Sequence, residues 1–334
     1  MSTDILDRLD GLDTGWRKLG ESVTDKDYRT IVSFANCTSY SQLQSLHKCP
    51  RMYQLDKAAA QQSGQAEGFE LQENIDFAFG HSVGAGVATF IVTQNLTAGL
   101  FASWLAWKAD YFGIKEKQDK SLAWAQFAIE KWREQNLLED YEVYTFEDGT
   151  PAVEVAFVVR TEQGFQHYGH IDILLRHKPT GRVCVGEFKT TGYESVDEAT
   201  YANSSQGVGY GVVLDSIAPG NADYEVLYCV YSSKAKEWQL MPFNKSQTEK
   251  AAWLQDLLLD HSNIRTYQHL NFFPKRGESC ANQFGRRCRY FGTCDLTSHA
   301  TQYPELPSER TAENVHFSFS LTDIIEQQRR LTGL

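Results

Sequence analysis

The spacing of the apolar residues changes near residue 152, and this change limits the fold more than any other feature of the sequence. Upstream, apolar residues recur at helical spacing, as Leu122, Ala125 and Ile129 do in SLAWAQFAIEKWREQNLLED. Downstream, apolar and polar residues alternate in AVEVAFVVR, FQHYGHIDILLRH and GRVCVGEFKTT, which the turn-prone sequences TEQG and KPTG separate. The sequence therefore predicts helices followed by a three-stranded meander.

The order of the remaining elements indicates the fold class. Residues 43–60 are predicted to be helical, with Pro50 either breaking that helix or starting a second one. A further helix is predicted over 197–214, and after it come the strands YEVLYCVYSS and KEWQLMPF and the amphipathic SQTEKAAWLQDLLLDHSNIRTYQHL. This order predicts an α/β (mixed α+β) fold in which helices flank a central mixed sheet.

Composition sets the broad class of protein. With 334 residues, 42% of them hydrophobic and 22% charged, the chain can build one large domain or two small ones. Polar residues interrupt the apolar stretches well short of the roughly 20 residues that span a bilayer, and MSTDILDRLDGLD has no signal-peptide pattern. We therefore expect a cytoplasmic protein.

The charge balance differs between the whole chain and one short segment. A formal net charge of -11 argues against binding a polyanion. Between residues 272 and 291, however, a single acid, Glu278, stands against five basic residues, which are Lys275, Arg276, Arg286, Arg287 and Arg289. A local basic surface on an acidic protein is the prediction.

The most informative short motif is VGEFKTT. In an extended strand Glu187 and Lys189 share one face, and a hairpin places Asp172 of the preceding GHID beside Glu187. Two adjacent carboxylates repel unless a cation lies between them, and Mg²⁺ or Mn²⁺ is the natural one. Such an ion activates water against a phosphodiester, and Lys189 can orient that water or offset developing charge. The alternative is a surface salt bridge between Lys189 and either acid.

A second pair of residues extends this motif. Gln206 and Tyr210 lie four residues apart in SSQGVGYGVVLD and so share a helix face. The series G-x-x-D, E-x-K and Q-x-x-x-Y, in this order, resembles the RecB-type branch of the PD-(D/E)xK nuclease superfamily over roughly residues 45–296. The resemblance implies a restriction-endonuclease-like core and makes Gln206 and Tyr210 active-site residues that contact the DNA backbone.

The same resemblance assigns roles to the motif itself. It makes Asp172 and Glu187 ligands of Mg²⁺ or Mn²⁺, the Phe188 carbonyl a third protein ligand and Lys189 the catalytic lysine. Glu154 matches an acidic position found upstream in relatives.

One position departs from the family pattern. RecB-type members usually carry a metal-binding His on an early helix, where FGHSVGAGV has Gly84. His81 lies one turn earlier on nearly the same face, so either His81 or Glu154 is a candidate additional metal ligand, while a polar histidine at a helix start is the alternative for His81.

Seven cysteines without a secretion signal argue against a disulfide framework. Three of them form C-x7-C-x5-C, and with an upstream cysteine they resemble the ligands of iron–sulfur nucleases of the same superfamily, such as AddB-type subunits and CRISPR-adaptation nucleases. The four are Cys49, Cys280, Cys288 and Cys294. The resemblance implies a [4Fe–4S] cluster that joins the two ends of the nuclease core, although the usual first spacing is two residues rather than seven. A Cys₄ zinc site and unligated thiols are the alternatives.

These observations combine into one functional hypothesis. We expect a metal-dependent DNA exonuclease that acts on single strands or DNA ends in recombination or end processing, similar to small phage or CRISPR-associated members. The basic residues and Tyr290 would contact DNA at the mouth of the site. A non-catalytic DNA-binding or scaffold protein with the same fold is the alternative.

The predicted organisation follows the chain. Residues 1–30 form a flexible N-terminal segment, and 31–300 form one nuclease domain with a helical part (31–150), a catalytic core (151–270) and a cysteine-rich segment (271–300). The tail, 301–334, ends in a short helix, SLTDIIEQQRRL, which docks on its own domain or on a recombination or single-strand-binding protein.

Overall fold

A mixed sheet lies at the centre of the protein. The computed structural model describes residues 37–63, 75–111, 117, 119–161, 164–219, 222–280, 287–296 and 317–332, so the predicted flexible segment 1–30 lies outside it. The strands are β1 (Cys37–Thr38), β2 (Tyr141–Val143), β3 (Val153–Arg160), β4 (Gln166–His177), β5 (Val183–Thr191), β6 (Ala222–Ser232), β7 (Glu237–Asn244) and β8 (Phe317–Ser320).

Helices cover both faces of this sheet. They are α1 (Tyr40–Lys48), α2 (Pro50–Ser63), α3 (Ile75–Thr93), α4 (Leu96–Tyr111), α5 (Leu122–Gln135), α6 (Glu198–Ala202), α7 (Ser205–Ile217), α8 (Gln247–His269) and α9 (Leu321–Thr332). The predicted α/β class, a mixed sheet flanked by helices, is confirmed.

The sheet order is β7-β6-β5-β4-β3-β8, with β1 and β2 both pairing with β4. Strands β3, β4 and β5 form the predicted antiparallel meander, and β6 then pairs parallel with β5. A parallel neighbour requires a crossover connection. Helices α6 and α7 make this crossover, which carries α7 over the face of β5.

Local sequence explains where several helices begin and end. Pro50 starts α2, and Cys49 separates it from α1, so the proline breaks the predicted helix in two. Ser39 caps α1 in a capping box with Gln42. Ser121 caps α5, which ends at Asn136 in a left-handed conformation.

Helices α3 and α4 form a hairpin that packs at very short range. The Cβ of a residue replacing Gly86 would lie 3.0 Å from the Gly99 carbonyl oxygen, and one replacing Gly99 would lie 2.8 Å from the Gly86 carbonyl oxygen. Ser82 and Ser103 are hydrogen-bonded across the same interface at 2.7 Å. Small residues therefore set the distance between the two helices.

By length and composition alone, α3 could cross a membrane. The expectation that no apolar stretch reaches such a length is therefore wrong for α3. A buried core helix has the same composition, and Phe79, Val83 and Val87 are fully buried in one cluster with residues of α5 and β6.

The C-terminal segment joins the core. Strand β8, which the sequence analysis did not predict, pairs parallel with β3, and the predicted final helix is α9. Leu321, Ile324 and Ile325 bury the apolar face of α9, so this helix packs on its own domain. Gln328 donates to Asp215 Oδ2 (2.6 Å), which also receives Lys250 Nζ at 2.9 Å.

Candidate active site

Three carboxylates lie in one row across neighbouring strands. Val153 pairs with Ile173 and Val155 with Ile171, so Glu154 stands opposite Asp172. Ile173 pairs with Gly186, which places Glu187 opposite Asp172 on the other side. The β4–β5 ladder ends at that last pair. The two predicted metal ligands therefore lie where the strands begin to separate.

Lys189 forms an ion pair with Glu187 in this row. Its Nζ lies 2.6 Å from Glu187 Oε1. The Glu187 side chain is 2% exposed, whereas that of Lys189 is 36% exposed. The second oxygen, Glu187 Oε2, is buried and has no hydrogen-bond partner among the described residues. The predicted shared face is present, with the Glu187 carboxylate buried and the Lys189 side chain partly exposed.

The backbone of Phe188 faces Asp172. Its N–H donates to Asp172 Oδ2 at 2.7 Å. Because the N–H and C=O of one strand residue point to the same side, the Phe188 carbonyl also faces this gap. The Phe188 ring lies on the opposite face of the strand, against Trp132 and Trp238. Strand alternation thus packs the Phe188 ring against the two tryptophans and leaves the Phe188 carbonyl facing the gap beside Asp172.

Burial dominates the electrostatics of the row. It raises the pKa of Glu187 to about 8, with the charge of Asp172 adding to the effect and Lys189 opposing it. Burial likewise raises the pKa of Asp172. For Lys189, burial acts to lower the pKa, but Glu187 and Asp172 outweigh it and raise the pKa above its ordinary value. Lys189 therefore stays charged. Its single positive charge does not compensate the buried carboxylates, whose pKa values remain raised.

Glu154 has an unusual backbone for a strand residue. Its φ of +50° lies in the left-handed region, which costs on the order of 1 kcal/mol or more outside glycine. Burial raises the pKa of its carboxyl to about 7, Asp172 adds to this, and His81 acts in the opposite direction. His81 also acts to lower the pKa of Asp172. Both candidate additional ligands thus lie near the row.

Helix α7 contributes the predicted glutamine and tyrosine. Gln206 Nε2 donates to Tyr210 Oη at 2.7 Å, and Tyr210 Oη donates to the His170 carbonyl at 2.5 Å. That carbonyl belongs to the strand residue two positions before Asp172. Burial raises the pKa of Tyr210, and the charges of Glu187 and Asp172 add to the effect. The tyrosine therefore remains a neutral donor that links α7 to β4.

These residues line one cleft of about 820 Å³. Its floor contains Glu154, Asp172, Glu187 and Lys189, and its walls include Gln206, Tyr210 and His81. Gly169 and Gly186 allow the strands to pack there. A Cβ at Gly169 would lie 2.7 Å from the Phe157 ring, and one at Gly186 would lie 2.6 Å from Ile173 Cγ2.

Sequence reasoning missed several residues of the cleft. Ser39, Tyr40 and Ser41, at the start of α1, line it, and so do Phe77 and Trp253. The Ser39 cap could have been found in the sequence, because the S-x-x-Q pattern of a capping box is visible there. Its distance of more than 100 residues from the motif gave no sign that the two regions meet.

The family is decided by comparison with known proteins. A sequence model of the PD-(D/E)XK nuclease superfamily matches residues 38–295 of this chain. The chain belongs to the PD-(D/E)XK nuclease superfamily. A crystal structure from Eubacterium rectale, of a protein provisionally named an exonuclease, is similar with 12% sequence identity and a TM-score of 0.46. The similarity covers 81% of this chain and 96% of that one. The search of curated proteins found no match.

The superfamily implies a divalent metal ion, and the donor set fits one. Within the described residues, no three His, Cys, Asp or Glu side chains converge as in a preformed metal site. Mg²⁺ usually takes only one or two carboxylates and keeps several waters. Asp172, Glu187 with its unpaired Oε2, and the Phe188 carbonyl provide such a set.

The cysteine-rich segment contacts α1 and α2, which lie at the opposite end of the nuclease core in sequence. Arg51, which is buried in α2, donates to the Cys294 carbonyl from Nη2 at 2.8 Å. Ser279 Oγ donates to the Lys48 carbonyl, and Tyr290 Oη to Asp56 Oδ1 at 2.8 Å. These bonds join the two ends of the nuclease core.

Three of the four predicted cysteine ligands, Cys280, Cys288 and Cys294, lie in this segment, and Cys49 contacts it from the start of α2. The Cys288 N–H donates to the Cys280 carbonyl at 3.0 Å, and Cys49 Sγ lies 4.0 Å from the Pro274 carbonyl oxygen. Within the described residues, no three His, Cys, Asp or Glu side chains are arranged as a metal site. Ligation by the four thiols stays a prediction.

The described residues among the predicted DNA-binding set are on this segment and do not line the cleft. Arg286 lies outside the described residues, and none of the other five lines the cleft. Lys275 pairs with Asp295, and Arg289 pairs with Asp56. Tyr290 donates to the same carboxylate, and Arg287 lies over the Phe291 ring at 5.0 Å. DNA contact through Arg276 and these residues stays a prediction.

Proposed function

We propose that this nuclease is a metal-dependent DNA exonuclease that acts on single strands or DNA ends in recombination or end processing. One observation carries the proposal. The carboxylates Glu154, Asp172 and Glu187 stand in one row at the floor of a cleft, beside the Lys189 ammonium. Burying like charges in this way is unfavourable unless a cation compensates them.

Asp172, Glu187 and the Phe188 carbonyl would hold Mg²⁺ or Mn²⁺, with Glu154 or His81 as a further ligand. When bound, such an ion supplies polarisation of the phosphodiester and a lowered pKa for a water molecule. Glu187 Oε2 is buried and has no hydrogen-bond partner among the described residues, so this oxygen remains available to a cation.

The protein's own residues do the remaining work. Lys189, kept charged by Glu187 and Asp172, offsets negative charge that develops on the phosphate oxygens. The bond from Tyr210 to the His170 carbonyl holds the strand that carries Asp172. Gln206 borders the cleft with one amide hydrogen used on Tyr210, so its second amide hydrogen can be donated to a DNA phosphate.

The proposal extends to cofactors, partners and location. Cys49, Cys280, Cys288 and Cys294 would bind a [4Fe–4S] cluster, with Zn²⁺ as the alternative metal. All seven cysteines are free thiols, which is consistent with a cytoplasmic protein. Within the described part of the tail, a recombination or single-strand-binding protein would dock on the polar side of α9, where Glu326 and Arg330 are exposed.

The test is a cleavage assay on two DNA substrates, one with free ends and one without. Protein purified without oxygen is incubated with linear and with circular single-stranded DNA, in Mg²⁺, in Mn²⁺ and in chelator. We expect metal-dependent release of terminal nucleotides from the linear strand and an intact circle. Cleavage of the circle would replace exonuclease by endonuclease action. Binding without any cleavage would favour the non-catalytic scaffold.

A further inference from the structure

One side of α3 forms a wall of the cleft. Phe77, Gly80, His81, Gly84 and Ala85 all line it, at the three- and four-residue spacing of a single helix face. Phe77 nevertheless remains 52% exposed. A phenylalanine in a cleft that keeps half of its surface in water has apolar area available for a ligand.

The backbone under Phe77 is fixed. Its neighbours Ile75 and Ala78 are buried together in a small cluster with Trp107. Asp76, in the same turn, receives Lys120 Nζ at 2.8 Å and Lys117 Nζ at 3.0 Å. The ring therefore projects from a helix turn that is held on two sides, which reduces the entropy lost when a ligand stacks on it.

The helix face beside the ring is open at its two glycines. A Cβ added at Gly84 would meet nothing within 4 Å, and one at Gly80 would meet only Thr190 Oγ1, at 3.5 Å. His81 lies one turn, roughly 5.4 Å, along the helix from Phe77 and lines the same cleft as Asp172 and Glu154. The ring therefore borders the cleft that contains the carboxylate row.

We propose that Phe77 is a stacking platform for an unpaired base of the strand being cut, next to the phosphate at the carboxylate row. This inference rests on the proposed nuclease function and names its substrate more narrowly, as single-stranded DNA at the cleft. A base inside a duplex has both faces covered by its neighbours, so only an unpaired base can offer a face to the ring.

The experiment measures binding in chelator, where no cleavage is needed. Fluorescence anisotropy gives the affinity for single-stranded DNA oligonucleotides that are intact or carry one abasic site at successive positions from the end. The variants are Phe77→Ala, Phe77→Tyr and, as the control, Phe101→Ala. Phe101 is 57% exposed on α4 and does not line the cleft.

We expect Phe77→Ala to bind the intact strand about tenfold more weakly, and Phe77→Tyr and Phe101→Ala to bind it as the wild type does. One abasic position should weaken wild-type binding by a similar factor and leave Phe77→Ala unaffected, because ring and base act as a pair. Duplex binding should not depend on Phe77.

The outcomes separate this inference from the proposed function. Equal affinity of Phe77→Ala and wild type, or equal sensitivity of both to every abasic site, would overturn the platform. Wild-type protein that binds no single strand would overturn it as well. Phe77-dependent binding without metal-dependent cleavage would support the platform while refuting the exonuclease.

Discussion

At the scale of single residues, the strands that carry the carboxylate row have regular geometry at Glu187 and Lys189 and irregular geometry at Glu154. Strand alternation in the sequence correctly places Glu187 and Lys189 on one face. It does not extend to Glu154, whose φ of +50° departs from strand geometry and whose neighbours Val153 and Val155 pack against different clusters. A sequence pattern gives no sign of this backbone, because glutamate is not among the residues that favour positive φ.

The buried row makes the stability of the metal-free protein depend on pH. Glu187, with a pKa of about 8, holds a proton in the folded state that the unfolded chain loses near pH 4.5. The contribution of Glu187 to the free energy of unfolding is therefore fully present below about pH 4.5 and is lost as the pH rises through about 8. In chelator, we expect the wild-type Tm to fall between these pH values.

Glu187→Gln removes this titration, so we expect its Tm to fall less over the same range, as measured by calorimetry. Glu134→Gln changes an exposed carboxylate on α5 and should keep the wild-type slope. Parallel curves for Glu187→Gln and wild type would contradict the assigned electrostatics. Saturating Mg²⁺ should flatten the wild-type curve, because the ion favours the ionised carboxylates.

At the scale of elements, periodicity predicted most helices and strands but not their long-range contacts. The meander β3–β5, the break at Pro50 and helix α8 all follow from local patterns. Strand β8 was missed because its four residues pair with β3, about 160 residues earlier in the chain. Short strands of this kind are stabilised by tertiary contacts, and local sequence carries little sign of them.

Two glycines in α3 give opposite predictions. Gly84→Ala places its Cβ in open space, so we expect a gain of about 1 kcal/mol in the free energy of unfolding. Gly86→Ala places its Cβ 2.1 Å from Ile129 Cδ1, and we expect a loss of about 1–3 kcal/mol. Denaturant titration measures both. Equal effects would show that the packing of α3 against Ile129 of α5 is not as close as described.

At the scale of the whole molecule, the cysteine-rich segment contacts α1 and α2, which lie more than 200 residues earlier in the chain. Hydrogen bonds of Arg51 and Asp56 make this contact, whereas the cluster that the family resemblance implies there stays a prediction. The sequence could not indicate where the basic residues would lie, because their place depends on how the segment docks. Net charge was likewise a poor guide, since an acidic total did not exclude a nuclease.

A cysteine substitution tests the cluster at this scale. We expect Cys288→Ser, purified without oxygen, to lose bound iron and to melt at a lower temperature, because metal binding contributes to folding. Cys184→Ala changes a thiol buried within the sheet and should keep its iron. Iron and zinc analysis of both proteins decides the metal. A Cys288→Ser protein with full metal content and unchanged Tm would refute the cluster.

The central claim is that the buried row and Lys189 form a catalytic centre. The most direct measurement compares Lys189→Ala with Lys131→Ala in the cleavage of end-labelled single-stranded DNA. Lys131 forms an ion pair of the same 2.6 Å length, with Glu134 on the surface of α5. We predict that Lys189→Ala loses at least about 100-fold in cleavage rate while its DNA binding and Tm are largely retained, and that Lys131→Ala cuts normally. Unchanged cleavage by Lys189→Ala would contradict the account.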